Sequence, residues 1–227
     1  MDDSRVRERG WDVLPCFVGS QFVSPELFLE IQEHPLSPGE SAWGSRNLLH
    51  ALILSTRPRI VVEIGAQIGA ASVVIGAGLK ANRFGKSYHL EPQENYYRVL
   101  KEFISRAGLN DYAYALQMYS TDPTLRGLVD READLIFLDA GHSYTGAYQD
   151  LLICDSLLSD QGLVLVEDVA LRHSVQMCDD RRGGIRQALI DFVRARPDFS
   201  VIFLDQPLWL NPCGLAVLSR KPADDIA

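Results

Sequence analysis

The sequence predicts an α/β fold, a Rossmann-like doubly wound sheet of seven strands, mostly parallel and closing on an antiparallel pair. Three observations carry this. Short apolar runs alternate with segments of helical periodicity from residue 59 onward. Most of those runs end in a glycine, or in acids such as Glu91, Asp139, Glu167 and Asp168. The last two runs, at 199–204 and 213–218, follow each other with no helix between them, which makes them antiparallel partners.

The N-terminal 40 residues read as an irregular arm, because Pro15, Pro25, Pro35 and Pro38 break any long element. Within it, Ser24-Pro25-Glu26 is a start signal for a short helix through Phe28 and Ile31. Phe17, Phe22 and Phe28 are expected to be exposed there and to suit a contact between subunits. Residues 41–227 are expected to form one domain. Its first helix, 41–55, has Trp43, Leu48, Leu49, Leu52 and Ile53 at helical spacing and stops before Arg57-Pro58. Trp43 reads as core or as a residue beside a ligand.

The first strand, Ile60-Val-Val-Glu63-Ile64, runs into Gly65-Ala-Gln-Ile-Gly69 and then into a small-residue helix containing Ser72. Glycines after a buried parallel strand let backbone approach a ligand at the next helix N-terminus. The spacing Glu63-x-Gly65-x-x-x-Gly69 is not the G-x-G-x-x-G of dinucleotide sites. A wider loop with an acid at the strand end suits a ligand without phosphate. The second strand, 87–91, ends in Glu91, placed to accept hydrogen bonds from ribose hydroxyls or else to cap the helix at 94–107. A third strand is expected at 112–119, with a helix start at Ser120-Thr-Asp-Pro123. The fourth strand, 134–139, ends in Asp139 and precedes a helix at 144–158. The fifth, 162–168, ends in Glu167 and Asp168, and a polar loop from 170 to 184 has the length of a lid. A helix at 185–196 precedes the closing pair.

Ligands of an open α/β sheet gather at the carboxyl ends of its strands. Asp139, Glu167 and Asp168 belong to neighbouring strands there. Their carboxylates would repel one another unless they cap helices separately or share a cation, and Mg²⁺ is the hard ion such oxygen donors suit. Adjacent strand residues point to opposite faces, so Glu167 and Asp168 can share an ion only if the chain turns between them. His142, three residues after Asp139, titrates near neutral pH and is the candidate base.

Glu63-x-Gly65-x-x-x-Gly69 after the first strand resembles the cofactor loop of class I S-adenosylmethionine-dependent methyltransferases. Asp139-x-x-His142 with Glu167-Asp168 is similar to the metal-dependent O-methyltransferases of macrolide sugars and to the cephalosporin-hydroxylase-like branch. The run from Asp139 to Asp150-Leu151 resembles the D-G-D-H-S-Y-x-G-x-x-x-D-L segment of a broad methyltransferase family. It departs at Ala140 and Gly141, where a second acid is missing. The resemblance implies S-adenosylmethionine held by Glu63, Gly65, Gly69, Ser72, Glu91, Ser120 and Asp139. It also implies Mg²⁺ on Asp139, Glu167 and Asp168, and His142 as base.

Charge narrows the partner. A net charge of -8 with pI near 5.1 argues against nucleic acid, which needs excess Lys and Arg. No run is long and apolar enough for a membrane, no secretion signal opens the chain, and a cytoplasmic protein is expected. Four scattered cysteines, Cys16, Cys154, Cys178 and Cys213, suggest neither disulfides nor zinc. The expected activity is Mg²⁺-dependent methyl transfer to a hydroxyl of a small molecule, such as a natural-product intermediate. The alternatives are a metal-independent methyltransferase acting on a carboxylate or nitrogen, a nicotinamide-dependent oxidoreductase, and a non-catalytic cofactor-binding protein. The N-terminal arm leaves a homo-oligomer open.

Overall fold

The first strand, β1 (Ile60–Ile64), is buried along its whole length, and its side chains alternate between two cores. Ile60, Val62 and Ile64 face one way and Val61 the other. Helices must therefore cover both faces, as in a parallel sheet. The structure, a computed structural model, describes residues 23–37, 43–129, 131–171, 182–205 and 213–222.

The helices are α1 (Pro25–Glu33), α2 (Trp43–Thr56), α3 (Ala70–Asn82), α4 (Glu94–Arg106), α5 (Leu125–Leu128), α6 (Tyr144–Leu157) and α7 (Gly184–Ala195). The remaining strands are β2 (Lys86–Leu90), β3 (Ala113–Leu116), β4 (Ala133–Leu138), β5 (Leu158–Glu167), β6 (Phe199–Leu204) and β7 (Leu215–Arg220). They form one seven-stranded sheet in the order β3-β2-β1-β4-β5-β7-β6. All neighbours are parallel except β7, which runs antiparallel to both β5 and β6. The order reverses between β1 and β4, so the carboxyl ends of those two strands flank the crevice where such sheets bind ligands.

On one face, α6 and α7 supply Leu151, Cys154, Leu157, Leu189 and Phe192 to a core with Ile136, Val164 and Val166. On the other, Leu49 and Ile53 of α2 pack with Ile75 and Leu79 of α3 over Val61, Phe137 and Leu165. The fit of α2 to α3 is close: a Cβ at Gly78 would lie 2.8 Å from a methyl of Ile53.

Several expectations change. Phe28 is buried at 3% exposure, packed with Val23, Leu27 and Ile31 against α3 and α4, so it offers nothing to a partner subunit. Phe17, Phe22, Cys16, Cys178, the side chain of Trp43 and most of the 170–184 loop lie outside the described residues. The helix start at Ser24 is present, with its Oγ accepting the Leu27 N–H at 3.2 Å. The third strand is half its expected length, because the Leu116 carbonyl takes the N–H of Met118 as well as that of Glu91 and the chain turns. Asp122 opens only a turn, accepting the Thr124 N–H and hydroxyl, and α5 follows as a single four-residue turn. Among the described residues, no helix is long and apolar enough to cross a membrane.

Candidate active site

The turn between β1 and α3 is the floor of the crevice. Gly65, Gln67 and Gly69 all have positive φ, at 93°, 47° and 100°. Glycine is required at the first: a Cβ on Gly65 would lie 2.1 Å from the Asp139 carbonyl oxygen. The turn's own N–H groups are largely satisfied within the protein. Gly65 and Ala66 donate to the Leu90 carbonyl, Gly69 donates to Ala66, and Gln67 donates to Glu91 Oε2 at 2.9 Å. A phosphate cradle needs those donors pointing at its ligand. This turn instead suits a ligand without phosphate, in agreement with its glycine spacing.

Glu91, just past β2, is 3% exposed. Each carboxylate oxygen accepts one backbone N–H, Oε2 from Gln67 and Oε1 from Gln93. A carboxylate has about four acceptor positions, so two remain for the vicinal hydroxyls of a ribose. Burial pushes its carboxyl upward, opposed by the two N–H donors, and the Glu63 charge adds to the rise.

Glu63 and Ser72 are enclosed beneath the turn, at 1% and 0% exposure. The Ser72 hydroxyl donates to Glu63 Oε2 at 2.5 Å, and His89 Nδ1 meets the same oxygen at 2.5 Å. Ser120, also buried, donates its hydroxyl to Asp150 Oδ1 on α6, which ties the loop after β3 to that helix. Burial raises the Asp150 carboxyl, and the Ser120 hydrogen bond pulls it back.

Asp139 follows β4 and its N–H donates to the Ile64 carbonyl, so it stands directly beside the Gly65 turn. Asp168 follows β5 with φ +64°, so the chain does turn between Glu167 and Asp168. The side chains of Asp139, His142 and Asp168 each bring one donor atom within 4.8 Å of the other two. His142 Nε2 lies 2.8 Å from Asp168 Oδ2. The structure thus gathers His142 with the two aspartates. Glu167, expected as a third acidic ligand, is last in β5 and 1% exposed and is not in that group, although its charge acts on Asp139.

Burial holds the Asp139 carboxyl well above the carboxylate range, and the charges of Glu167, Asp168 and Glu63 push it further. Arg46, on the first turn of α2 and 1% exposed, opposes them. The hydrogen bond to Asp168 raises the His142 imidazole above its ordinary 6.5, against the effect of burial. Cys213 adds a thiol beside Asp168, pushed up to about 12 by burial and by the neighbouring carboxylates.

Two carboxylates and an imidazole at such separations are a fitting donor set for a divalent ion. Asp139 and Asp168 supply hard oxygen donors, and His142 supplies either a nitrogen donor or a base. The acidic surroundings also suit the sulfonium and ammonium charges of S-adenosylmethionine, and Glu91 suits its ribose.

Sequence reading missed His89 and Arg46. His89 had a usable signal, since Ser87 and His89 alternate with Tyr88 and Leu90 at period two, and His89 falls opposite Glu63 in parallel register. Arg46 had none, because an arginine in a helical first turn reads as solvated.

A family model described as a methyltransferase domain matches residues 62–169, which run from β1 to just past Asp168. Over those residues the chain is similar to that methyltransferase domain family, and its fold is that of solved S-adenosylmethionine-dependent O-methyltransferases. It is similar to O-methyltransferase hkm8 of Aspergillus hancockii, 27% identical over 134 residues that cover 58% of this chain. The match spans about half of that relative, 49% of its length. Among solved structures, the O-methyltransferase of Bacillus cereus in complex with SAH superposes with a TM-score of 0.72 at 19% identity, covering 86% of this chain and 89% of that one. The O-methyltransferase TomG of Streptomyces achromogenes, in complex with SAM and involved in tomaymycin synthesis, gives 0.73 at 18% identity, covering 98% and 100%.

Proposed function

We propose that this chain transfers the methyl group of S-adenosylmethionine to a hydroxyl of a small molecule with the help of a divalent cation such as Mg²⁺. The observation that carries this is the convergence of Asp139, His142 and Asp168 beside the Gly65 turn. The O-methyltransferase names of the relatives support the acceptor atom, and TomG's role in tomaymycin synthesis supports a natural-product acceptor. The net charge of -8 supports a small molecule over a nucleic acid. Residues 41–227 form the methyltransferase domain in this reading, with the first 40 residues as an arm.

S-adenosylmethionine supplies a methyl already activated on a sulfonium, so the protein's task is positioning and proton removal. Glu91 holds the ribose, and the Gly65–Gly69 turn shapes the floor under the methionine end. A divalent ion on Asp139 and Asp168, with Glu167 adding charge behind them, would lower the pKa of the acceptor hydroxyl and orient it. His142, held at Nε2 by Asp168, receives the hydroxyl proton. The oxygen forms its bond to the methyl carbon as the sulfur–methyl bond breaks, and S-adenosylhomocysteine leaves.

The test is S-adenosylhomocysteine formation by chelator-treated protein with a panel of phenolic and sugar hydroxyl acceptors, with and without added Mg²⁺. Turnover restored only by the ion supports the reading. Turnover that survives EDTA favours a second reading, in which the His142–Asp168 pair, already at 2.8 Å, removes the proton without an ion.

A further inference from the structure

Beneath the cofactor turn lies a chain of four polar side chains, Ser72, Glu63, His89 and Ser87, each at most 1% exposed. It crosses from α3 through β1 to β2, on the face where Val61 and Ile75 pack. Glu63 and His89 are register partners on adjacent parallel strands, so their side chains leave the sheet on the same side.

A carboxylate only accepts hydrogen bonds, so the Ser72 hydroxyl and the His89 Nδ1–H both donate to Glu63 Oε2, each at 2.5 Å. The other ring nitrogen, Nε2, is fixed by Ser87 Oγ at 2.8 Å, and that hydroxyl lies 3.0 Å from the Tyr112 carbonyl. Burying such groups is costly unless every partner is present. Two of the anchors bear directly on the turn. Ser72 is three residues past Gly69, and a Cβ on Gly69 would already lie 3.7 Å from that of Ser72. Leu90, next to His89, accepts the N–H groups of Gly65 and Ala66. Thus β2 grips the turn twice, through the Leu90 carbonyl and through the His89 imidazole on Glu63.

We propose that His89 and Glu63 are positioning residues for the cofactor: they lock the Gly65–Gly69 turn from below, and Glu63 does not act on the cofactor's charge. This rests on S-adenosylmethionine being the ligand of that turn.

The two hypotheses for Glu63 differ in what a neutral isostere does. In E63Q the amide oxygen can still accept from Ser72 and His89, so the lock keeps its shape while the charge is gone. For His89, asparagine offers an N–H at the place of Nδ1 and keeps the bond to Glu63, whereas glutamine reaches the place of Nε2 and keeps only the bond to Ser87. The experiment is calorimetric titration of wild type, E63Q, H89N and H89Q with S-adenosylmethionine and, separately, S-adenosylhomocysteine, which lacks the sulfonium charge. Unfolding temperatures are read in parallel.

The expected result is that E63Q and H89N bind both ligands within about threefold of wild type, while H89Q loses about tenfold or more for both, the worth of one charge-assisted hydrogen bond. Loss in E63Q confined to S-adenosylmethionine would overturn the proposal in favour of a direct charge role. Equal losses in H89N and H89Q would overturn it in favour of bulk destabilisation. If H89Q does not fold, the contrast between E63Q and wild type across the two ligands decides alone. Failure of wild type to bind either ligand would remove the cofactor reading, and the proposal with it.

Discussion

Gly65 and Asp139 meet backbone to backbone across β1 and β4: the place of a Cβ on Gly65 is 2.1 Å from the Asp139 carbonyl oxygen, with the Ala140 Cα at 2.8 Å. The cofactor turn and the acid that heads the candidate cation site are therefore one mechanical unit. Gly65→Ala must push the end of β4 aside while holding φ near +93°. Overpacking costs about 1–3 kcal/mol and the left-handed backbone roughly 1–2 more. For a chain of this size that is a fall of roughly 10 °C in unfolding temperature. The variant is expected to lose S-adenosylmethionine binding and cation binding together in titration calorimetry. Loss of one with the other intact would show that the two sites are mechanically separate.

Asp139 itself carries a cost when no cation is bound. Burial and the charges of Glu167, Asp168 and Glu63 hold its carboxyl well above the ordinary range. Asp139→Asn removes a repelled charge at nearly constant volume, so the chelator-treated variant is expected to unfold about 2–4 °C higher than wild type at neutral pH, a gain of about 1 kcal/mol. Cation binding and ion-dependent turnover are lost, while S-adenosylmethionine affinity changes less than about threefold. Ion-dependent turnover at the wild-type rate in this variant would remove Asp139 from the cation site.

The order of elements was legible in the sequence because apolar period and turn chemistry are local. Glu91, Asp139 and Asp168 end up at strand ends facing the crevice, as their positions after apolar runs implied. What local reading could not supply was orientation across strands. Glu63 reads as a strand-end acid near a ligand, yet it is the strand's fourth residue and its odd-numbered face turns it inward to His89. Ser120 reads as a pocket-wall hydroxyl, and its partner Asp150 is thirty residues away on a helix face. Glu167 and Asp168 are inseparable by pattern, and only the φ of +64° at Asp168 separates the residue that swings toward His142 from the one that stays in the sheet. Such pairings are set by register and by one backbone dihedral, neither of which composition encodes.

The Ser120–Asp150 bond makes a stability prediction that separates structure from binding. Both side chains are buried, at 9% exposure each, and the hydroxyl donates to the carboxylate. Ser120→Ala strands a buried acid and is expected to destabilise the fold by ~1–3 kcal/mol in urea unfolding. S-adenosylmethionine affinity should stay within about threefold, since the hydroxyl proton is already engaged within the protein. A tenfold loss of affinity with unchanged stability would instead make Ser120 a cofactor contact.

Far from the site, Asp198 supports the end of the sheet and titrates in a way that can be checked directly. Its Oδ1 accepts from Arg196 Nε, and its Oδ2 from Arg196 Nη2 and Arg220 Nη1, each at 3.2 Å. These bonds, Arg196 first, hold its carboxyl below the ordinary 3.8. The folded value lies below the unfolded one, so the stabilisation is complete above about pH 4 and is lost as pH falls through the folded value. The side chain is 31% exposed, and screening limits the effect to ~0.5–1 kcal/mol. Asp198→Asn should therefore be slightly less stable than wild type near neutral pH, and the two should converge as urea unfolding is repeated toward pH 3. The absence of any gap near neutral pH would mean that Asp198 acts through its backbone, where its carbonyl accepts the Lys221 N–H at 2.7 Å, and not through its charge.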